Sequence, residues 1–278
     1  METFVIIAYC ASDDAVKKLG LVDDIQTGVG MAQIVTTVIV AARFFGGNHR
    51  LANEFLHEHR YFYNKLSKSQ FNRRLHDIPY ALFNELMEQF SEYSKMTNES
   101  FEFAMDSFPI PSCDNIRISR SKLFAPKQHR GYIASKKRYF NGLRVHLIAT
   151  LTRQIVEFKI FPGATSDVKG AKSLEFNLPA GSVVYADKGC SSYKHEDELR
   201  ETKLIELAAI RKKNSRRPRT ANEEALVRRK RKPIETTISL LTRLFPKNIH
   251  AVTQKGFILK VVCFVLAYCT EGLLQVTT

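Results

Sequence analysis

From Met1 to about Tyr93 the apolar positions recur with a helical period, and after residue 100 they recur in short strand-like runs. The polar stretch Met96-Thr97-Asn98-Glu99-Ser100 separates the two patterns and marks a domain boundary. In the first part, Gly30–Phe45 is an apolar run closed by Gly46-Gly47, and Asn48 opens an amphipathic segment through Leu51, Phe55 and Leu56. The two fit a helix-turn-helix, although the β-branched run Ile34–Val40 suits a strand equally well. Ser67 caps a short helix that carries Arg73, Arg74 and His76 near its end and stops before Pro79. Those arginines lie either in a DNA groove or on a solvated face. A further helix covers Ala81–Lys95.

The second part predicts strands at Ser100–Met105, Leu143–Ala149, Ile155–Phe161, Ser182–Ala186 and Leu204–Ile210. Helices fall at Asp167–Phe176, Tyr193–Thr202, Arg228–Phe245 and Gly256–Leu274, the last read as a cover for the sheet. Three strands followed by strands alternating with helices define a mixed α/β, five-stranded sheet flanked by helices, behind an all-helical N-terminal domain. The boundaries follow as 1–97 for a helical DNA-binding region and 98–278 for the α/β domain.

Composition is that of a folded chain, 44% hydrophobic and 25% charged over 278 residues. The formal net charge of +14 predicts a polyanionic partner, and its placement is more informative than its size. Residues 116–138 hold eight Lys or Arg and no acid, and 211–232 hold eleven with only Glu223 and Glu224. The two tracts carry +17 between them, so the rest of the chain nets −3. Arg117, Arg120, Lys122, Arg211, Lys212, Lys213, Arg216, Arg217, Arg228 and Arg231, with Arg73 and Arg74, are the candidate DNA contacts. The five cysteines form no CxxC pair and have no His at finger spacing, so they read as reduced and structural. Glu2 stands where a signal peptide needs basic residues, and the apolar windows Val29–Ala42 and Phe257–Cys269 fall short of a membrane span. The expectation is a cytoplasmic protein with no membrane partner.

Three carboxylates stand apart by their surroundings. Asp187 follows the apolar run Val183-Val184-Tyr185-Ala186, which carries it to the carboxyl edge of the sheet. Asp106 ends its own apolar run before a kinked Phe108-Pro109-Ile110-Pro111 segment, with the prolines expected to bend the chain away from the sheet edge. If the two strands are neighbours, the acids lie side by side and repel unless a cation joins them. Glu235 lies in a helical stripe with Arg231 one turn before it. Such hard oxygen donors favour Mg²⁺ or Mn²⁺, and two ions would serve phosphoryl transfer. Each acid taken alone is better read as a helix cap or a surface ion-pair partner. Asp167, after Ser166, reads as part of a helix cap, and His146 as a core histidine.

The strings DSFPIPSCDNIRISRSK, RGYIASKKRYFNGLRVHLI, FPGATSDVKG, LPAGSVVYADKG, RKKNSRRP, IETTISLL and NIHAVTQKGF, in that order, resemble the transposases of bacterial insertion sequences. The likeness is nearest to the family numbered nine hundred and eighty-two and runs from about Ser67 to the C-terminus. It implies an RNase H-like catalytic domain whose Asp-Asp-Glu triad falls on Asp106, Asp187 and Glu235. Arg231 matches the arginine of the Tyr-Arg-Glu-Lys signature, while Arg228 takes the tyrosine position and Thr242 the lysine position. The resemblance further implies binding of double-stranded DNA at terminal inverted repeats and at a target, metal-dependent hydrolysis and strand transfer, and a homo-multimer in the synaptic complex. Two other functions are compatible with the same residues: a decayed transposase acting as a repressor, and a nuclease that cuts without joining.

Overall fold

The computed structural model describes residues 1–24 and 26–277, and the N-terminal helices are present in it as α1 (Glu2–Lys18), α2 (Met31–Phe44), α3 (His49–Glu58), α4 (Lys68–Asp77) and α5 (Tyr80–Met96). Met1–Phe90 forms one unit together with the chain from Leu241 onward; Ser91–Leu240 forms the other. Propensity left α2 open between strand and helix, and burial decides it. Residues 34–42 are all buried, and the hydroxyls of Thr36 and Thr37 donate to the carbonyls of Ala32 and Gln33, each at 2.7 Å. A helix that satisfies its own backbone and is covered on every side tolerates β-branched residues.

The last helix, α9 (Gln254–Thr277), packs against α1 and α2, whereas its apolar pattern reads as a sheet cover. Arg43 of α2 holds Glu271 of α9 through two hydrogen bonds, of 2.7 and 3.0 Å. The helix is also longer than its apolar window suggests: Gln254–Leu274 has the length and hydropathy of a membrane span, but most of it is buried within this unit. Cys263 and Cys269 of α9 are buried, and all five cysteines are free.

In the second unit the strands are β1 (Glu102–Asp114), β2 (Arg130–Ile133), β3 (Arg138–Thr150), β4 (Ile155–Pro162), β5 (Val183–Ala186) and β6 (Glu206–Ala209). Their order is β2-β3-β1-β5-β6, with β4 also on β3, and β1 lies between antiparallel β3 and parallel β5. The sheet thus has six described strands, one more than expected. The addition, β2, is only four residues of mixed character and pairs with the first turn-proximal residues of β3.

β1 also differs from expectation. It runs on through Pro109 and Pro111 to Asp114, paired with β3 throughout apart from an irregularity between Pro111 and Cys113. β5 pairs with β1 only over Glu102–Ala104. Both prolines have the same parity, so an N–H missing from the edge away from β3 has no sheet partner to lose. Asp106 is therefore inside a long strand and not at its end.

Alternation along β1 divides the unit into two faces. Phe103 and Met105 join Ile148, Val184, Ala186 and Leu207 in a core with α6 (Asp167–Ser173) and α7 (Tyr193–Lys203). Glu102 and Asp106 point the other way, toward α8 (Ala221–Leu244). α8 begins about two turns earlier than its apolar stripe, because the opening residues are polar, and Pro233 lies inside it.

His146 is fully buried in β3 with neither ring nitrogen bonded among the described residues, and α6 can approach it because residue 170 is glycine; a Cβ there would sit 2.2 Å from the ring. Burial lowers the His146 pKa to about 4, with Asp167 opposing and Arg144 assisting. In the helical unit, burial lowers His49 to about 4 as well, helped by Lys260 and His76. Because the unfolded chain takes up these protons near the ordinary value, stability is full above about pH 6.5 and is lost as pH falls toward 4. Each histidine is expected to remove about 2 kcal/mol between pH 8 and pH 5. Urea unfolding of His146→Leu should show a correspondingly smaller loss over that interval than the wild type; an identical loss would contradict the assignment.

Candidate active site

The parallel register between β1 and β5 pairs Ala104 with Tyr185. Two residues further on, the same register brings Asp106 level with Asp187, which directly follows Ala186 at the end of β5. Adjacent strands lie about 4.8 Å apart, so two like charges face each other at the point where the strands part. The Asp106 carboxyl has its pKa raised, by burial first and also by the charge of Asp187, against the opposing pull of Arg231 and the Ser107 backbone N–H.

Arg231 of α8 is the cation that answers this repulsion. One terminal nitrogen donates to Asp106 Oδ2 and the other to Glu235 Oε1 at 2.8 Å, and the charges of Asp106, Asp187 and Glu235 all favour its protonated form. Its Nε is buried with no partner among the described residues. One residue earlier, Lys230 reaches Glu102 at 2.6 Å, and Glu102 also accepts from the Tyr185 hydroxyl at 2.6 Å. Two consecutive basic residues thus fasten α8 to β1 along the face that carries Asp106. Glu235, one turn later, is 59% exposed, the most accessible of the three acids bonded to or facing Arg231.

The other face of β1 carries a second network. The Ser107 hydroxyl donates to Asp167 Oδ1 at 2.7 Å, and Arg144 reaches Ser107 Oγ at 3.2 Å and Asp167 at 3.4 Å. Asp167 also lies against Gly189, where a Cβ would come within 2.9 Å of its carboxylate, just after Asp187. The helix cap is Ser166, which accepts from the Lys169 N–H, so the Asp167 carboxylate is left to position the strand and the turn. Cys190, between the networks, is pushed up to about 12 by burial and by the charges of Asp167, Asp106 and Asp187. Only the Arg231–Glu235 pair is local, one turn apart on α8; the other contacts join strands and helices that meet only in the folded domain.

The donor chemistry suits a hard divalent cation: carboxylate oxygens that repel one another around a single positive group. Among the described residues, however, no three His, Cys, Asp or Glu side chains converge as a ready-made metal cage. The guanidinium of Arg231 stands where positive charge is required, and its orphaned Nε marks an incompletely satisfied fit.

The candidate DNA contacts separate into two groups. Arg74 is held by the Val29 carbonyl and by Asp23 at 3.5 Å, Arg211 binds both oxygens of Glu196 at 2.8 Å, and Arg217 binds both of Asp197 at 2.6 and 2.8 Å. Arg211 and Arg217 also lie over the Tyr193 ring. Arg74 and Arg211, partly buried, tie elements together, as does Arg231, a role that a local reading of basic tracts does not reveal, whereas Arg217 is exposed and its pair with Asp197 lies at the surface. Arg73, Arg117, Arg120, Lys122, Lys212, Lys213, Arg216 and Arg228 are exposed, the last with Glu224 at 4.0 Å.

Residues 95–251 match the family described as Transposase DDE domain, which covers more than half of the chain, and the chain belongs to that family. No curated protein and no solved structure matches it. The six-stranded mixed sheet fits the RNase H-like fold of such transposases, and DNA is the partner on which they act.

Proposed function

We propose that the chain is the transposase of a bacterial insertion sequence of the family numbered nine hundred and eighty-two, with Asp106, Asp187 and Glu235 as its catalytic acids. The observation that carries this reading is the β1–β5 register, which levels Asp106 with Asp187 beside an arginine shared with Glu235. Asp106 and Asp187 would hold two Mg²⁺ or Mn²⁺ ions, with Glu235 completing the coordination. Bound there, the ions supply an activated attacking oxygen and charge stabilisation for the leaving one.

Arg231 neutralises the carboxylates in the metal-free protein; with ions bound there, its guanidinium would be available to a phosphate oxygen. Lys230 keeps α8 on β1 meanwhile, through Glu102. Water first attacks a phosphodiester at the terminal inverted repeat, breaking its P–O3′ bond and freeing a 3′-OH; that hydroxyl then attacks a target phosphodiester, whose P–O3′ bond breaks and whose 3′-OH leaves, without a covalent enzyme intermediate. The N-terminal helices, with Arg73 exposed on α4, would bind the repeats, and a multimer would synapse the two ends in the bacterial cytoplasm.

The test is to incubate the protein and Mg²⁺ with DNA carrying its reading frame and genomic flanks, and to map new 3′-OH ends. Ends at flanking inverted repeats, and joined products from precut ends, are expected. Cleavage without joining would favour the nuclease, and binding without cleavage the repressor.

Backbone contact is assigned to Lys212, Lys213 and Arg216. Replacing all three with alanine should flatten the dependence of log K on log salt by about 0.9 for each phosphate that is no longer neutralised. Arg211→Ala, which breaks a buried pair with Glu196, should lower stability instead. An unchanged slope in the triple variant would count against the assignment.

A further inference from the structure

Beyond the carboxylate site, the ribbon of β2 and β3 displays a pair of aromatic rings to solvent. Tyr132 and Tyr139 face each other across the two strands, with ring centroids 5.0 Å apart and planes at 53°. They are 46% and 50% exposed, although tyrosines that serve packing bury most of their rings. The Arg130 guanidinium lies 4.8 Å above the Tyr139 ring. Lys127, Lys136 and Lys137 are exposed nearby in sequence, and no acidic residue occurs from Asn115 to Val156.

We infer that Tyr132 and Tyr139, with Arg130, form a stacking platform for unpaired DNA bases on the β2–β3 ribbon of the transposase domain. Exposed aromatic faces flanked by cations are what single-stranded nucleic acid requires: rings for the bases and positive charge for the backbone. Two tyrosines offer surface for one or two bases, far less than the roughly 800 Å² per partner of a stable protein interface. The platform is tied to the second network: Arg144 contacts the Tyr132 carbonyl at 3.5 Å and the Ser107 hydroxyl at 3.2 Å, so one guanidinium links the ribbon to the residue that follows Asp106, on the opposite face of β1. DNA whose strands have parted at a cleaved end would meet these rings.

The inference rests on DNA as the substrate but not on the assignment of the catalytic acids, so its test omits metal. Full-length protein is titrated with a single-stranded oligonucleotide containing 2-aminopurine and, separately, with a blunt duplex of the same length. Wild type should quench the fluorophore by stacking. Tyr132→Ala with Tyr139→Ala should weaken single-strand binding by about tenfold or more while leaving duplex binding within about twofold. Tyr132→Phe with Tyr139→Phe should bind as the wild type does, since the rings remain. If the alanine variant fails to fold, photocross-linking of a 5-iodouracil oligonucleotide to wild type decides, with adducts expected on Tyr132 or Tyr139. Equal single-strand affinity in the alanine variant and wild type, or adducts only elsewhere, would overturn the platform. So would loss of self-association in the alanine variant with single-strand binding intact, which would make the ribbon a contact between copies. Stacking that survives in a protein unable to cleave its flanks would retain the platform and sink the catalytic reading alone.

Discussion

Replacing Arg231 with methionine is expected to destabilise the metal-free protein by about 3 kcal/mol, the range found when one member of a largely buried ion pair is removed. Arg231 is 16% exposed and Asp106 21%, so solvent does little to screen the charges left behind. Methionine keeps much of the side-chain volume, which leaves the electrostatic loss as the main effect. Asp106 and Asp187 would then face each other with no cation between them, and the Asp106 pKa, already raised by burial, would rise further. The expected signature is a lower melting temperature that Mg²⁺ recovers more fully in Arg231→Met than in wild type, because the ion supplies the missing charge. An unchanged melting temperature, or a Mg²⁺ response equal to that of wild type, would contradict the role assigned to this arginine.

The second large effect concerns activity. Asp106→Asn is expected to reduce strand cleavage by at least about a thousandfold, equivalent to about 4 kcal/mol in the barrier. Asparagine has the size of aspartate and retains an oxygen for the Ser107 N–H, which Asp106 Oδ1 accepts at 2.8 Å. Lys230 keeps its bond to Glu102, so α8 should stay on β1. DNA binding is therefore expected to persist while cleavage is lost, and gel-shift and cleavage assays on the same preparation separate the two. A fall of less than tenfold would remove Asp106 from the catalytic group.

Asp187 was legible in the sequence because a short apolar strand delivers it directly, and that pattern needs no knowledge of its neighbours. Asp106 was recognisable as a residue but misplaced within its strand. The prolines after it read as a stop, and only the sheet shows that β5 leaves β1 at Ala104 and makes them harmless. Arg231 read as a phosphate contact because basic tracts carry no record of their partners; its link to Asp106 spans 125 residues. The same holds for Arg211 with Glu196 and for Asp167 with Ser107. In α2, local propensity and tertiary burial disagreed and burial prevailed. For α9, the apolar pattern announced a buried helix but could not say that α1 and α2 would pack against it.

Opposed carboxylates, Asp106 on β1 and Asp187 just after β5, are proposed to cut DNA with a divalent metal. The decisive comparison is wild type against Asp187→Asn on DNA bearing the genomic flanks, in Mg²⁺ and in chelator. Nicks at the flanks by wild type in Mg²⁺, none in chelator and none from Asp187→Asn at equal DNA binding is the predicted result. Equal binding with cleavage by neither protein, or equal cleavage by both, would contradict it.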